Sequence, residues 1–206
     1  MVGTIFEKSR TPLQLWFYAM FLFTTSKHGV SGKELQRQLG VTYKTAWRMG
    51  QQIRKHMEAI DGDKPIGGEG KIVEVDETFI GGETKGMDGR DRKSVLMGMV
   101  ERDGDIVLEV VPDQKRSTLI PEIKEHVAKG SEVHTDELRS YKKGAHPDEY
   151  THKSVNHGKG EYATPEGVST NTIEGAFSHC KRSIAGTHTS ISAKYLQRYA
   201  KEFEYR

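Results

Sequence analysis

Lys71-Ile-Val-Glu-Val-Asp-Glu-Thr-Phe-Ile-Gly-Gly82 alternates apolar and polar side chains through Val73, Glu74, Val75 and Asp76 before a glycine pair stops it. That is the pattern of a β-strand with acidic groups toward its end. A second strand-like run, Ser131-Glu-Val-His-Thr-Asp-Glu-Leu138, also ends on an Asp-Glu pair, and Asn171-Thr-Ile-Glu-Gly-Ala-Phe-Ser-His-Cys-Lys181 opens a helical run. Side chains this far apart in sequence can meet in one pocket. Asp76, Asp136 and Asn171 or Glu174 together supply the hard oxygen donors of a divalent-metal phosphoryl-transfer site.

Outward from these stations, strand patterns cover 71–80, 94–102, 105–112, 131–136 and 151–156, with helices over 117–129 and from about 171. A Gly-rich charged loop at 81–93 and a turn at Asp103-Gly104 join the first three strands. The order β-β-β-α-β-α-β-α predicts an α/β fold in which an antiparallel meander joins parallel strands through crossover helices. The 81–93 loop lacks the Lys-Ser/Thr ending of a nucleotide-binding P-loop and reads as a hairpin connection.

Asp61-Gly-Asp-Lys-Pro-Ile-Gly-Gly-Glu-Gly70 is a polar Gly/Pro-rich stretch where helical patterns give way to strand patterns, which places a domain boundary there. Residues 1–62 then form a small helical segment and 71–206 the α/β unit. Ser31-Gly-Lys-Glu34 has the spacing of a capping box, a short helix through Leu35 and Leu39 stops at Gly40, and a second helix carries Lys44, Arg48, Arg54 and Lys55. This is helix-turn-helix-like, and those four cations are the candidate DNA contacts; an ordinary helical hairpin with a solvated basic face has the same pattern.

The chain has 206 residues and a formal net charge of +2, so affinity for nucleic acid has to come from local basic patches. Cys180 is the single cysteine, which excludes an internal disulfide or a multi-cysteine zinc site and suits a reducing cytoplasm. Leu13 to Phe23 is too short to span a bilayer. Its Leu13, Trp16, Phe17, Met20 and Phe21 follow helical spacing after a Thr11-Pro12 start, so it reads as a buried helix rather than a leader.

Successive strand side chains point to opposite faces, so only one of Asp76 and Glu77, and one of Asp136 and Glu137, can share a pocket with its neighbour strand. The alternation alone leaves both choices open. Asn171 and Glu174 have capping-box spacing, which explains them without chemistry, although a capping residue can also reach a metal. Lys181 lies two turns after Glu174 on the same helical face and could hold a phosphate. His134, His179 and His188 read as ordinary core or surface residues, and Cys180 as a small buried one.

Gly3-Thr-Ile-Phe, Ser9-Arg-Thr-Pro-Leu13 with Trp16-Phe17, Val75-Asp-Glu-Thr-Phe-Ile-Gly-Gly82, Asn171-Thr-Ile-Glu174 and Leu196-Gln-Arg-Tyr199 with Glu202-Phe203 resemble the transposases of bacterial insertion sequences related to the Merlin group. The resemblance runs over nearly the whole chain. It implies an RNase H-like mixed sheet flanked by helices and a catalytic metal-binding triad of the Asp-Asp-Glu or Asp-Asp-Asn type. The two aspartates fall on Asp76 and Asp136, the third member on Asn171 or Glu174, and the downstream basic residue on Lys181. It further implies two Mg²⁺ or Mn²⁺ ions, phosphate contacts from Lys181, Arg182 and Lys194, and double-stranded DNA, terminal repeats and target, as partner. A homo-oligomer on DNA, without membrane association and in the cytoplasm at the nucleoid, goes with it. The same resemblance carries an N-terminal Cys-rich zinc ribbon and a continuation beyond the last helix. With Cys180 alone and an apolar face still running at Arg206, segments are expected to be missing at both ends. A non-joining nuclease with the same triad, or a catalytically silent DNA-binding remnant, are the competing readings.

Overall fold

The protein is described from a computed structural model covering residues 2–60, 64–81, 93–141, 149–156 and 163–206. Three helices come first: α1 (Leu13–Thr25), α2 (Gly32–Leu39) and α3 (Tyr43–Ile60). The Ser31 hydroxyl caps α2 by accepting the Glu34 N–H, and Gly40 ends it in the left-handed conformation that a side chain would resist. Only half of the expected capping box forms, because the Glu34 carboxylate binds Arg37 and Gln38 instead. Trp16, Ala19, Phe23, Leu35, Leu39, Ala46, Met49, Ile53 and Met57 close a core between the three helices. The first helix is buried on that face alone; Phe17 and Phe21, expected inside, are each 58% exposed.

The α/β unit contains β1 (Ile66–Gly67), β2 (Ile72–Ile80), β3 (Ser94–Glu101), β4 (Ile106–Val111), α4 (Arg116–His126), β5 (Val127–Ala128), β6 (Glu132–Thr135), β7 (Thr151–Ser154), α5 (Asn171–Ser183) and α6 (Ala193–Glu204). A five-stranded sheet runs β4-β3-β2-β6-β7, with β2, β3 and β4 antiparallel and β6 and β7 parallel to β2 and to each other. This is the mixed α/β architecture of an RNase H-like fold. Between β4 and β2, β3 is buried on both faces, so its sequence is a continuous apolar run. Val95, Met97 and Met99 pack with Leu119 and Ile123 of α4; Leu96 and Val100 pack on the other face with Ile173 and Phe177 of α5 and Leu196 of α6.

Two boundaries differ from the sequence expectation for stated reasons. The helix expected over 117–129 ends at His126, because Val127 and Ala128 pair in parallel with Ile66 and Gly67. That pairing also ties the second half of the 61–70 stretch into the α/β unit, where the Gly67 N–H donates to Glu101. Most of the 81–93 loop (82–92) and residues 142–148, within the stretch where a further helix was expected, lie outside the described residues.

The exposed side of β4 is covered by α6. Glu204 accepts the Leu108 N–H and Gln197 accepts the Val110 N–H, so this edge offers no free ladder to another strand. The helical segment packs on α6 as well, through the buried pair Arg54–Glu202, the Gln51–Tyr199 hydrogen bond and an edge-on Trp47–Tyr195 contact.

Candidate active site

The face question left open by the sequence is answered by what covers each side of β2. Val73 and Val75 belong to the α4-side core, and Glu77 shares their parity: its carboxylate accepts the Tyr141 hydroxyl at 2.7 Å. Asp76 therefore points to the α5 side with Glu74, Thr78 and Ile80. There it lines a cavity of about 320 Å³ together with Thr78, Glu174, Phe177, Ser178 and Lys181. Glu174, Ser178 and Lys181 follow the i, i+4, i+7 spacing of one helical face, so α5 lays a carboxylate, a hydroxyl and an ammonium along the strand that carries Asp76.

Asp136 reaches the same region by register. Val73 pairs with Val133 and Glu74 with His134, where the parallel ladder ends, and Asp136 comes two residues after His134 with the parity that Asp76 has two residues after Glu74. Asp76 is midway along β2 and Asp136 directly follows β6; the two strands are adjacent and parallel, with β3 on the other side of β2 and β7 on the other side of β6. Asp136 turns the chain there by accepting the Leu138 N–H. The charges of Asp76 and Asp136 both act on Glu77, whose pKa is pushed up to about 8, first by burial and then by these two neighbours.

Close packing holds α5 against the strands. Gly98 of β3 lies directly across from Asp76, and a side chain there would meet Ile173 at 2.6 Å and Phe177 at 2.8 Å. The glycine lets the helix approach the sheet beside the site. Asn171 is the first helical residue rather than the N-cap, which is Thr170; it is exposed and is not among the residues lining the cavity. The expected Asn171 capping box is thus replaced. The Thr170 hydroxyl donates to Glu174, while the Thr172 and Ile173 N–H groups are met by Glu74 from β2.

The donors gathered here, Asp76, Asp136 and Glu174, are hard oxygens suited to Mg²⁺ or Mn²⁺. Among the described residues, only Glu122, Glu125 and His126 bring three ligand atoms within 4.8 Å of one another. That group is on α4, across the sheet from the cavity, so Asp76, Asp136 and Glu174 do not all lie within that distance of one another.

The basic residues divide. Lys44, Arg48 and Lys55 are exposed, and with Gln52 they follow one face of α3 whose opposite face buries Ala46, Met49, Ile53 and Met57. Arg54 does not join them. Its guanidinium is buried against Glu202, the Val30 carbonyl and the rings of Phe23 and Tyr199, so its expected phosphate contact is corrected to an internal one. Lys181, Arg182 and Lys194 are exposed.

The remaining singled-out residues are structural in their surroundings. His134 bridges Glu132 and the Ser169 N–H inside the sheet, and His188 stacks edge-on against Tyr199. Burial raises the Cys180 thiol to about 11, as befits a small core residue. Glu74 and Arg102 were not singled out by sequence; the one available sign was that Glu74 shares the parity of Asp76.

A family model described as the ISXO2-like transposase domain matches residues 67–206. The chain belongs to this family. It is also 28% identical over 225 residues, covering 99% of this chain and 72% of the relative, to a protein of Halobacterium salinarum described as an uncharacterized protein in transposable element ISH50. Among the described residues no helix is long and apolar enough to cross a membrane.

Proposed function

From membership of the ISXO2-like transposase family, we propose that this chain cuts DNA at the ends of an insertion sequence and joins them to a target, assisted by divalent cations. The observation that supports the reading is the α5-side cavity, which unites Asp76 with Glu174 and Lys181, with the charges of Asp76 and Asp136 both felt by Glu77. Asp76, Asp136 and Glu174 are the residues that would hold Mg²⁺ or Mn²⁺; Glu174 is preferred to Asn171 because it lines the cavity. Bound there, the cations would polarise the scissile phosphodiester and raise the acidity of the attacking hydroxyl.

The chain's own groups do the positioning. Lys181, two helical turns along α5 from Glu174, holds the phosphate backbone beside the scissile bond, and the Thr78 and Ser178 hydroxyls offer hydrogen bonds to its oxygens. Water displaces the 3′-oxygen from phosphorus, leaving a 3′-hydroxyl and a 5′-phosphate. The 3′-hydroxyl in turn displaces one oxygen of a target phosphodiester. Neither step needs a covalent enzyme intermediate. Residues 1–62 serve as the DNA-binding unit, with Lys44, Arg48 and Lys55 on the backbone, and 71–206 as the catalytic unit. Two DNA ends held at once call for a homo-oligomer.

The test is nicking and strand transfer on DNA carrying the element's terminal repeats, in Mg²⁺ and in Mn²⁺, with Asp136→Asn as the comparison. Activity abolished by the substitution, with joined products in the parent, supports the proposal. Cleavage without joining makes the chain a nuclease, and DNA binding with neither makes it a catalytically silent remnant.

A further inference from the structure

Glu74 sits two residues before Asp76 on the same face of β2, is completely buried, and has no part in the chemistry above. One carboxylate oxygen accepts the backbone N–H groups of Thr172 at 2.8 Å and Ile173 at 3.2 Å. The other accepts the Thr172 hydroxyl at 3.1 Å and the Arg102 Nε at 2.8 Å. Arg102 in turn donates to the Gly167 carbonyl and to the Ser169 hydroxyl, so the chain leading into α5 is tied to the sheet by the same pair.

A helix N-terminus is normally satisfied by a side chain of its own N-cap residue. In α5 the Thr170 side chain makes no such bond to the backbone, and the first-turn N–H groups turn instead to a carboxylate from a strand, where the helix dipole also favours negative charge. The anchor is therefore not local. It fixes the start of α5 against β2 within about 7 Å, two strand residues, of Asp76, and Glu174 follows in the same first turn of α5.

We infer that Glu74, backed by Arg102, is a positioning residue for the proposed reaction: it sets the height and rotation of α5 and thereby the placement of Glu174 opposite Asp76. This rests on the transposase reading. Groups that act through placement lose on the order of 10²-fold in rate for displacements near 1 Å, with little change in ground-state binding.

The experiment uses the full chain with Glu74→Asp, which keeps a carboxylate for Arg102 but is one methylene too short to reach both amides, and Glu74→Gln alongside. Single-turnover cleavage at saturating DNA, DNA affinity without divalent ion, and Mn²⁺ binding followed by electron paramagnetic resonance are measured on each. The expected result for Glu74→Asp is a thermal transition near that of the parent, unchanged DNA affinity, cleavage on the order of 10²-fold slower, and weaker Mn²⁺ binding. A merely structural cap would lower the folded fraction and leave the rate per folded molecule and the Mn²⁺ affinity alone; that pattern overturns the inference. Spin labels on Thr78→Cys and Ser178→Cys, with Cys180 buried, decide the point without relying on activity. A label distance unchanged by Glu74→Asp overturns the inference even where cleavage is measurable. An inactive parent with a distance that does shift would instead sink the transposase reading while leaving the placement intact.

Discussion

Two arginine–glutamate pairs, each with its carboxylate buried, join elements of this protein that are far apart in sequence, and they are built differently. Glu74–Arg102 spends its carboxylate on backbone N–H groups of α5 and its guanidinium on backbone carbonyls of the preceding chain. Arg54–Glu202 is wrapped in rings: the guanidinium lies 4.0 Å from the Tyr199 ring centroid and 5.0 Å from that of Phe23, with one backbone contact at Val30. The first pair grips main chain, whose position it determines. The second fills a seam between side chains of α3 and α6, where shape and charge both contribute. A backbone anchor transmits position to its helix, whereas a side-chain seam transmits mainly stability.

The strongest test of that contrast is to break the seam. Arg54→Gln leaves a carboxylate that is 1% exposed at its side chain with the more distant Arg206 cation at 3.8 Å, and should lower unfolding free energy by about 3–5 kcal/mol in urea titration. Replacing both partners with apolar groups, Arg54→Met with Glu202→Leu, should recover most of the loss, since the desolvation penalty leaves together with the attraction. The cleavage rate per folded molecule should be unaffected in the double variant. A rate that falls as steeply as in Glu74→Asp would mean that the seam also places the site, and the distinction between the two pairs would go.

The seam was also the part least legible in the sequence. On α3 the residues Lys44, Arg48, Arg54 and Lys55 form a single class by charge; only α6, 148 positions later, separates Arg54 from the others. The same distance problem hid Glu74, whose α5 partners come 98 and 99 positions on. By contrast, β2, β3, β4, β6 and β7 were readable because alternation and short apolar runs are local, and so were Asp76, which alternates with Val73 and Val75, and Asp136, which follows such a run. Which of Asp76 and Glu77 faces the cavity was not. Both faces of the sheet carry helices, so no solvent side exists to mark the parity. Short β5 was missed for another reason: two residues diverted from a helix by pairing with Ile66 and Gly67 leave no periodic trace.

Acid should act on the seam as well. His188 is held down to about 3, by burial first and then by the Arg54 and Arg206 cations. Glu202, Cys180 and His28 also border the space around it. The unfolded imidazole takes up a proton near pH 6.5 and the folded one resists it, so the unfolded state binds more protons between those values. Stability should therefore fall as pH drops below about 6.5, by at most about 1.4 kcal/mol per unit from this group. Other carboxylates titrate in the same range, so the quantity to measure is the difference between the parent and His188→Phe, which keeps a ring against Tyr199. Parallel acid limbs for the two proteins would show that His188 takes its proton in the folded state and is no part of the seam's stability.

The smallest effect falls outside both pairs, on the exposed stripe of α3. Lys55→Ala removes a cation that is solvated in the free protein, so stability should change by no more than about 0.5 kcal/mol. If the stripe lies on the phosphate backbone, the plot of log binding constant against log salt should lose roughly one unit of slope, and Lys44→Ala should do the same, while affinity drops evenly across DNA sequences. The Arg54→Met and Glu202→Leu double variant supplies the control, because it removes a cation of the same helix that never faced solvent, and its slope should match the parent's. An equal slope change in both would place Arg54 on DNA after all and require the seam to open when DNA binds. An unchanged slope for Lys44→Ala and Lys55→Ala would move the DNA path off α3 altogether, toward Lys181, Arg182 and Lys194, where α5 and the start of α6 present their own exposed cations.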